Sequence, residues 1–142
     1  MTQHPGDVPD VRPLDAYTAL KEGSGVVLVD VRTRPEWVYV GLPDLTEVGA
    51  EPMLLEWQTF PDMAIDTQFG PALERACPDK ATALYFLCRS GVRSLSAARE
   101  MSARGYTSVF NIADGFEGPP DKSGHRGTVA GWKAEGLPWR QT

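Results

Sequence analysis

The sequence predicts an α/β domain in which a central parallel sheet is flanked by helices on both faces. Three observations lead there. Val26-Val27-Leu28-Val29-Asp30-Val31 is a continuous β-branched run, the pattern of a strand buried on both faces of a parallel sheet. Ala83–Leu87 is a second apolar run; it ends on Cys88 and passes through a short Gly- and Arg-containing turn into Ser94–Met101, where Leu95, Ala98 and Met101 recur at helical spacing. Ser108–Ile112 is a further strand-like run, and strands alternating with helical stretches give parallel pairing through crossovers.

Taken in order, residues 1–12 are polar and rich in Pro and Gly. They read as a flexible segment, with Val8–Val11 as a short edge strand, and the folded domain is expected over 13–142. Leu14–Glu22 reads as a helix started by Pro13 and stopped by Gly23. After the Val26–Val31 strand, Pro35–Val38 starts a helical turn, and Gly41, Pro43 and Gly49 punctuate the next stretch. Pro52–Trp57 is expected to be a short strand. Asp62–Ala76 is expected to be a helix, broken or restarted at Gly70-Pro71. The Ser94–Arg104 helix closes at Gly105. Residues 118–127 have a loop composition, and Trp132–Glu135 is expected to form a last helical turn.

A chain of 142 residues holds one core, and a hydrophobic content of 42% is ordinary for a globular domain. The formal charge of −5 argues against nucleic acid as a partner, which selects for a basic stripe. No apolar run approaches the roughly 20 residues that span a bilayer, and the N-terminus lacks a signal-peptide pattern, so neither a membrane nor export is expected; the cytoplasm is the expected location. No cysteine or histidine cluster suggests a metal, and no cofactor is expected.

The chemistry is expected at Cys88-Arg89-Ser90-Gly91-Val92-Arg93-Ser94. In an open parallel sheet, ligands bind beyond the carboxyl ends of the strands, where Cys88 falls and where Asp30 also lies. A cysteine there sits beneath loop N–H groups and the positive end of a helix dipole, which favour thiolate over thiol and hold a bound oxyanion. Gly91 supplies the turn position that tolerates positive φ. Arg89 and Arg93 bring positive charge to an acidic protein and are read as orienting an anion. Ser90 and Ser94 either cap the helix or aim a hydroxyl at the sulfur, with capping the preferred reading for Ser94. Cys77, before Pro78, is read as a buried structural residue.

Two features narrow the mechanism. The only histidines, His4 and His125, lie in the terminus and a loop, which disfavours a Cys-His dyad. A phosphatase loop of the Cys-x5-Arg type would carry arginine where this chain has Ser94. The loop is one residue short of that cradle, too small for a phosphoryl group but able to hold a persulfide sulfur.

These segments resemble the single-domain rhodanese (thiosulfate sulfurtransferase) family. The resemblance is carried by Val29-Asp30-Val31-Arg32-Thr33-Arg34-Pro35-Glu36-Trp37, by the Cys88–Ser94 loop, and by Trp132-Lys133-Ala134-Glu135-Gly136-Leu137-Pro138. It implies that Cys88 accepts sulfane sulfur as a persulfide from a small anionic donor, thiosulfate or a persulfide, and passes it to cyanide, a thiol or a sulfur-accepting protein. Arg89 and Arg93 match the family's active-site arginines. Asp30 and Arg32 match its conserved-motif pair and are read as an ion pair bracing the loop. Trp37 and Trp132 are read as core or pocket wall. Two stretches depart from the family. Val40-Gly41-Leu42-Pro43-Asp44-Leu45 lacks the usual histidine, and an insertion reaching to about Gly131 comes after Asp114-Gly115-Phe116-Glu117. The insertion, with Lys122, His125 and Arg126, is read as a tolerated surface segment ahead of a lid or docking loop. A non-catalytic module that docks a partner protein is the alternative reading.

Overall fold

In the computed structural model, which describes residues 8–59 and 61–141, a five-stranded parallel sheet forms the centre. Its strands are β1 (Asp10–Val11), β2 (Val26–Asp30), β4 (Met53–Leu54), β7 (Ala83–Leu87) and β8 (Val109–Ile112), in the spatial order β1-β8-β7-β2-β4. β2 pairs along its whole length with β7, from Val26 opposite Ala83 to Asp30 opposite Leu87. The register brings Asp30 and Cys88 to the same end of the sheet.

Alternation along the central strands sorts side chains onto two faces. Val29, Leu84, Phe86, Cys88 and Val109 face one core, which α3 (Phe69–Ala76) and α4 (Val92–Ala103) cover with Phe69, Leu73, Ala97, Ala98 and Met101. Leu28, Leu87 and Ile112 face the other, closed by Ala16 and Leu20 of α1 (Pro13–Glu22) together with Phe116, Trp132 and Leu137. Helical cover on both faces therefore agrees with the sequence. Trp132 is fully buried, donates its indole N–H to Pro138 O at 2.7 Å and meets Tyr17 edge-on. Burial pushes the Cys77 thiol up, as suits a structural cysteine, and both cysteines are free.

Several boundaries differ from expectation. The expected edge strand at Val8–Val11 is present as Asp10–Val11, which pairs with β8 at the sheet's edge; the first seven residues, and His4 with them, lie outside the described residues. The expected Asp62–Ala76 helix begins only at Phe69. Ahead of it, β6 (Ala64–Ile65) pairs antiparallel with β5 (Gln58–Thr59), a ribbon that periodicity does not report. β9 (Trp139–Arg140) returns to pair with β3 (Leu42–Pro43). Trp132–Glu135 forms hydrogen-bonded turns without a helix, Glu135 N–H bonding Gly131 O at 3.0 Å. No helix among the described residues is long and apolar enough to cross a membrane.

At the end of β2 lies a buried ion pair. Arg32 and Asp30 have no exposure, and the guanidinium donates to both carboxylate oxygens, Nε to Oδ1 at 2.9 Å and Nη2 to Oδ2 at 2.7 Å. Nη2 also donates to Gly41 O at 2.8 Å, and the guanidinium carbon lies 4.3 Å from the Phe116 ring centroid. Leaving one member of such a pair buried alone is far costlier than replacing both with apolar groups. Arg32→Met is therefore expected to lower unfolding free energy by about 3–5 kcal/mol. The double variant Asp30→Leu/Arg32→Met should recover part of that loss, as read by urea denaturation.

Candidate active site

The site is built where β7 runs into α4. Gly91, with φ 108, turns the chain between Cys88 and the first helical residue, Val92. This turn aims the Gly91 N–H at Cys88 Sγ across 3.1 Å, at the positive end of the twelve-residue helix. Such a donor stabilises negative charge on sulfur.

Ser94 corrects the sequence reading. The helix starts two residues before it, at Val92, so Ser94 lies inside the first turn and is no cap. Its buried Oγ lies 3.2 Å from Cys88 Sγ and donates to Asn111 Oδ1 at 2.5 Å. Asn111 at the end of β8 is held in one orientation, because its amide nitrogen donates to Asp10 Oδ1 at 3.0 Å and Gly91 O at 3.2 Å. No local sequence pattern points to Asn111. It reaches the site only because β8 lies beside β7.

A second backbone segment clamps the loop from the other side. Phe116 N–H bonds Cys88 O at 2.8 Å, and the N–H groups of Glu117 and Gly118 bond Arg89 O at 3.0 and 3.1 Å. Gly115 makes this approach achievable: it has φ 61, and a Cβ there would lie 2.3 Å from Cys88 O. Phe116 is the ring against which Arg32 stacks, so the Asp30–Arg32 pair reaches the cysteine carbonyl through one side chain.

The two loop arginines differ. Arg93 is tied bidentately to Glu36, at 2.6 and 2.9 Å, while Arg89 is exposed and joins no ion pair among the described residues. Glu36, which sequence reasoning did not single out, stands at the third position of α2 (Arg34–Tyr39). It accepts bonds from the Thr33 N–H and hydroxyl. Burial alone would raise its carboxyl, but bonds from Arg93 and Thr33 outweigh this and hold it at about 2. Arg93 is raised in turn, chiefly by its bond to Glu36.

Arg89 and Arg93 line a cavity of about 390 Å³ with Glu36, Val40, Met63, Glu117 and Arg126. A larger cavity, about 620 Å³, runs between Pro43 and Arg140 and contains none of the Cys88 loop. The smaller one takes Arg89 and Arg93 from that loop, while Cys88 itself is buried and does not line it. Arg126 thus brings the insertion to the site, whereas Lys122 and His125 are exposed and do not line it. The insertion itself is tightly bonded: Asp121 accepts from the N–H groups of Ser123 and His125 and from the Thr128 hydroxyl, and Gly127 N–H bonds Glu117 O at 2.6 Å. Val92 is exposed. Ser90 is half-buried and joins no described side-chain bond, and Trp37 lines a separate cavity with Val38, Leu42 and Leu54. No group of acidic, histidine or cysteine side chains among the described residues is arranged to hold a metal.

The family model of the rhodanese-like domain matches residues 10–118. An uncharacterized protein of Rickettsia rickettsii is 38% identical over 126 residues, 88% of this chain and 91% of the relative. The crystal structure of Rv0390 from M. tuberculosis superposes with a TM-score of 0.85 at 44% identity, covering 95% of this chain and 98% of that one. A polysulfide-sulfur transferase homodimer from Wolinella succinogenes has a TM-score of 0.64 at 20% identity, covering 97% and 82%, which shows the shared fold.

This geometry has two measurable outcomes. The depressed Glu36 carboxyl contributes stability that is fully present above its unfolded value of roughly 4.3 and is lost as pH falls toward 2, on the order of 3 kcal/mol at most. Thermal melts between pH 7 and pH 2 should show this fall, and Glu36→Gln should flatten it. Gly115→Ala, which sets a methyl group against Cys88 O, is expected to cost about 1–3 kcal/mol in the same melts.

Proposed function

The chain belongs to the rhodanese-like domain family, and from that premise we propose that it is a sulfurtransferase carrying sulfur as a persulfide on Cys88. The observation that carries the reading is the double contact at Cys88 Sγ: the Gly91 N–H at 3.1 Å and the Ser94 hydroxyl at 3.2 Å, beneath the N-terminus of α4. The Gly91 N–H can donate to an anionic sulfur. The Ser94 hydroxyl, whose one proton goes to Asn111 Oδ1, holds its oxygen against the sulfur and can turn that proton to it only by releasing Asn111.

In the first half-reaction the Cys88 thiolate attacks the outer sulfur of thiosulfate or a persulfide donor. The Sγ–S bond forms, the donor's S–S bond breaks, and its electron pair departs with sulfite or the donor thiolate. In the second, an acceptor thiolate or cyanide attacks the outer sulfur, and Cys88 leaves as thiolate. Arg89 is free to bind the anionic donor, while Arg93, its charge answered by Glu36, fixes the wall beside it. Asp30 and Arg32 act at one remove, by holding Phe116 and so the loop. A reducing cytoplasm would keep both cysteines available as thiols.

Intact mass after incubation with thiosulfate tests the reading. The protein should gain one sulfur atom and lose it to cyanide, with thiocyanate formed, and Cys88→Ser should gain none. Failure of the wild-type protein to take up sulfur from thiosulfate or from any persulfide would overturn it in favour of a non-catalytic docking module.

A further inference from the structure

The charges around the 390 Å³ cavity do not match thiosulfate. Three guanidiniums (Arg89, Arg93, Arg126) and two carboxylates (Glu36, Glu117) line it. Arg93 and Glu36 satisfy each other bidentately, leaving Arg89, Arg126 and Glu117 in no ion pair among the described residues. The wall therefore offers two cations and one anion. A small dianion would engage the cations but face the Glu117 carboxylate across the same space, and it would fill only a small part of the volume.

Arg126 is built into place. Its Nη1 donates to Gly118 O at 2.6 Å, which leaves further guanidinium donors for a ligand. The loop that carries it is closed at its base by glycine contacts too tight for any side chain: a Cβ at Gly118 would lie 2.1 Å from Ala130 O, and one at Gly131 would lie 2.9 Å from Gly118 N. Gly118 N–H in turn bonds Arg89 O, so Arg126 is tied to the backbone of the cysteine loop.

We propose that the insertion forms a donor-specificity site, with Arg126 and Glu117 selecting an organic persulfide that bears both a carboxylate and an ammonium group, as an amino-acid persulfide does. This rests on Cys88 being the sulfur carrier. Such a donor complements the wall: its carboxylate meets Arg126, the thiolate that leaves from it meets Arg89, and its ammonium meets Glu117. Cys88 thiolate attacks the outer sulfur of R–S–SH. The Sγ–S bond forms and the donor's S–S bond breaks, with the electron pair leaving on RS⁻, which takes a proton from water.

The test is the single-turnover rate of sulfur loading onto Cys88, monitored by intact mass. The donors are freshly prepared cysteine persulfide, N-acetylcysteine persulfide, cysteamine persulfide and thiosulfate. Wild-type protein should load from cysteine persulfide about tenfold faster than from the N-acetyl donor, the size expected for one hydrogen-bonded charge contact. Glu117→Gln should erase that difference. Arg126→Ala should slow both carboxylate-bearing persulfides about tenfold and leave loading from the carboxylate-free cysteamine persulfide unchanged, which a role confined to bracing Gly118 would not allow. Equal rates for the cysteine and N-acetylcysteine persulfides in the wild-type protein, or a loss in Arg126→Ala that extends equally to the carboxylate-free donor, would overturn the proposal. If no donor loads Cys88 at all, the carrier reading falls first. Loading from thiosulfate without the zwitterion preference sinks the specificity site alone.

Discussion

A guanidinium with no solvent exposure is expensive to bury, and in this fold Arg32 is buried within two residues of the end of β2. Its carboxylate partner Asp30 is equally buried and contacts it through two nitrogens. The pair stands only because its surroundings are built to receive it: Gly41 offers a carbonyl, and Phe116 offers a ring face. Each of these belongs to a different connection. Gly41 leads into β3, which pairs with the C-terminal β9, and Phe116 belongs to the turn whose N–H groups bond the carbonyls of Cys88 and Arg89. One buried charge thus gathers three segments that share no secondary-structure element. Remove its complement and each would lose a fixed point.

The parts of the fold that are legible in the chain rest on local chemistry. The strand ending on Cys88 and the helix after it are legible because a run of apolar residues, a glycine with the required positive φ and an apolar stripe are all short-range signals. The ion pair is legible because Asp30 and Arg32 are two residues apart. Contacts that depend on pairing between distant segments are not. The β5–β6 ribbon resembles part of a helix, and β9 gives no local signal because its partner lies nearly a hundred residues earlier in the chain. Ser94 reads as a cap because serine near a helix start usually is one. Here the turn at Gly91 starts the helix early enough to rotate the hydroxyl inward, onto the sulfur. Glu36 and Asn111, which partner Arg93 and Ser94, are separated from them by 57 and 17 residues and carry no local signature of those roles.

The resulting site has two compartments with different physics. Around Cys88 Sγ the environment is buried and backbone-rich, with one N–H and one hydroxyl on the sulfur, and it is reached from strand, helix and β8. That part is bound to the sheet register and leaves little room for variation. Outside it, the cavity lined by Arg89, Arg126 and Glu117 is made of long, partly exposed side chains on connections. Its composition can change with little effect on the core, as loops carried by a rigid scaffold generally can.

This division explains why an insertion is tolerated at a position touching the active loop. The Gly115, Gly118 and Gly131 contacts bring backbone against backbone at distances no Cβ permits, so the inserted segment is anchored by main-chain geometry at its base while its outer residues are free to differ. Hydrogen bonds from Glu117 and Gly118 to Arg89 O then transmit its position to the residue beside Cys88. On the reading that Cys88 carries sulfur, a fold built this way keeps Sγ fixed and lets the surrounding charge pattern decide which molecule approaches it. Selectivity would then belong to the connection after β8, and reactivity to the junction between β7 and α4.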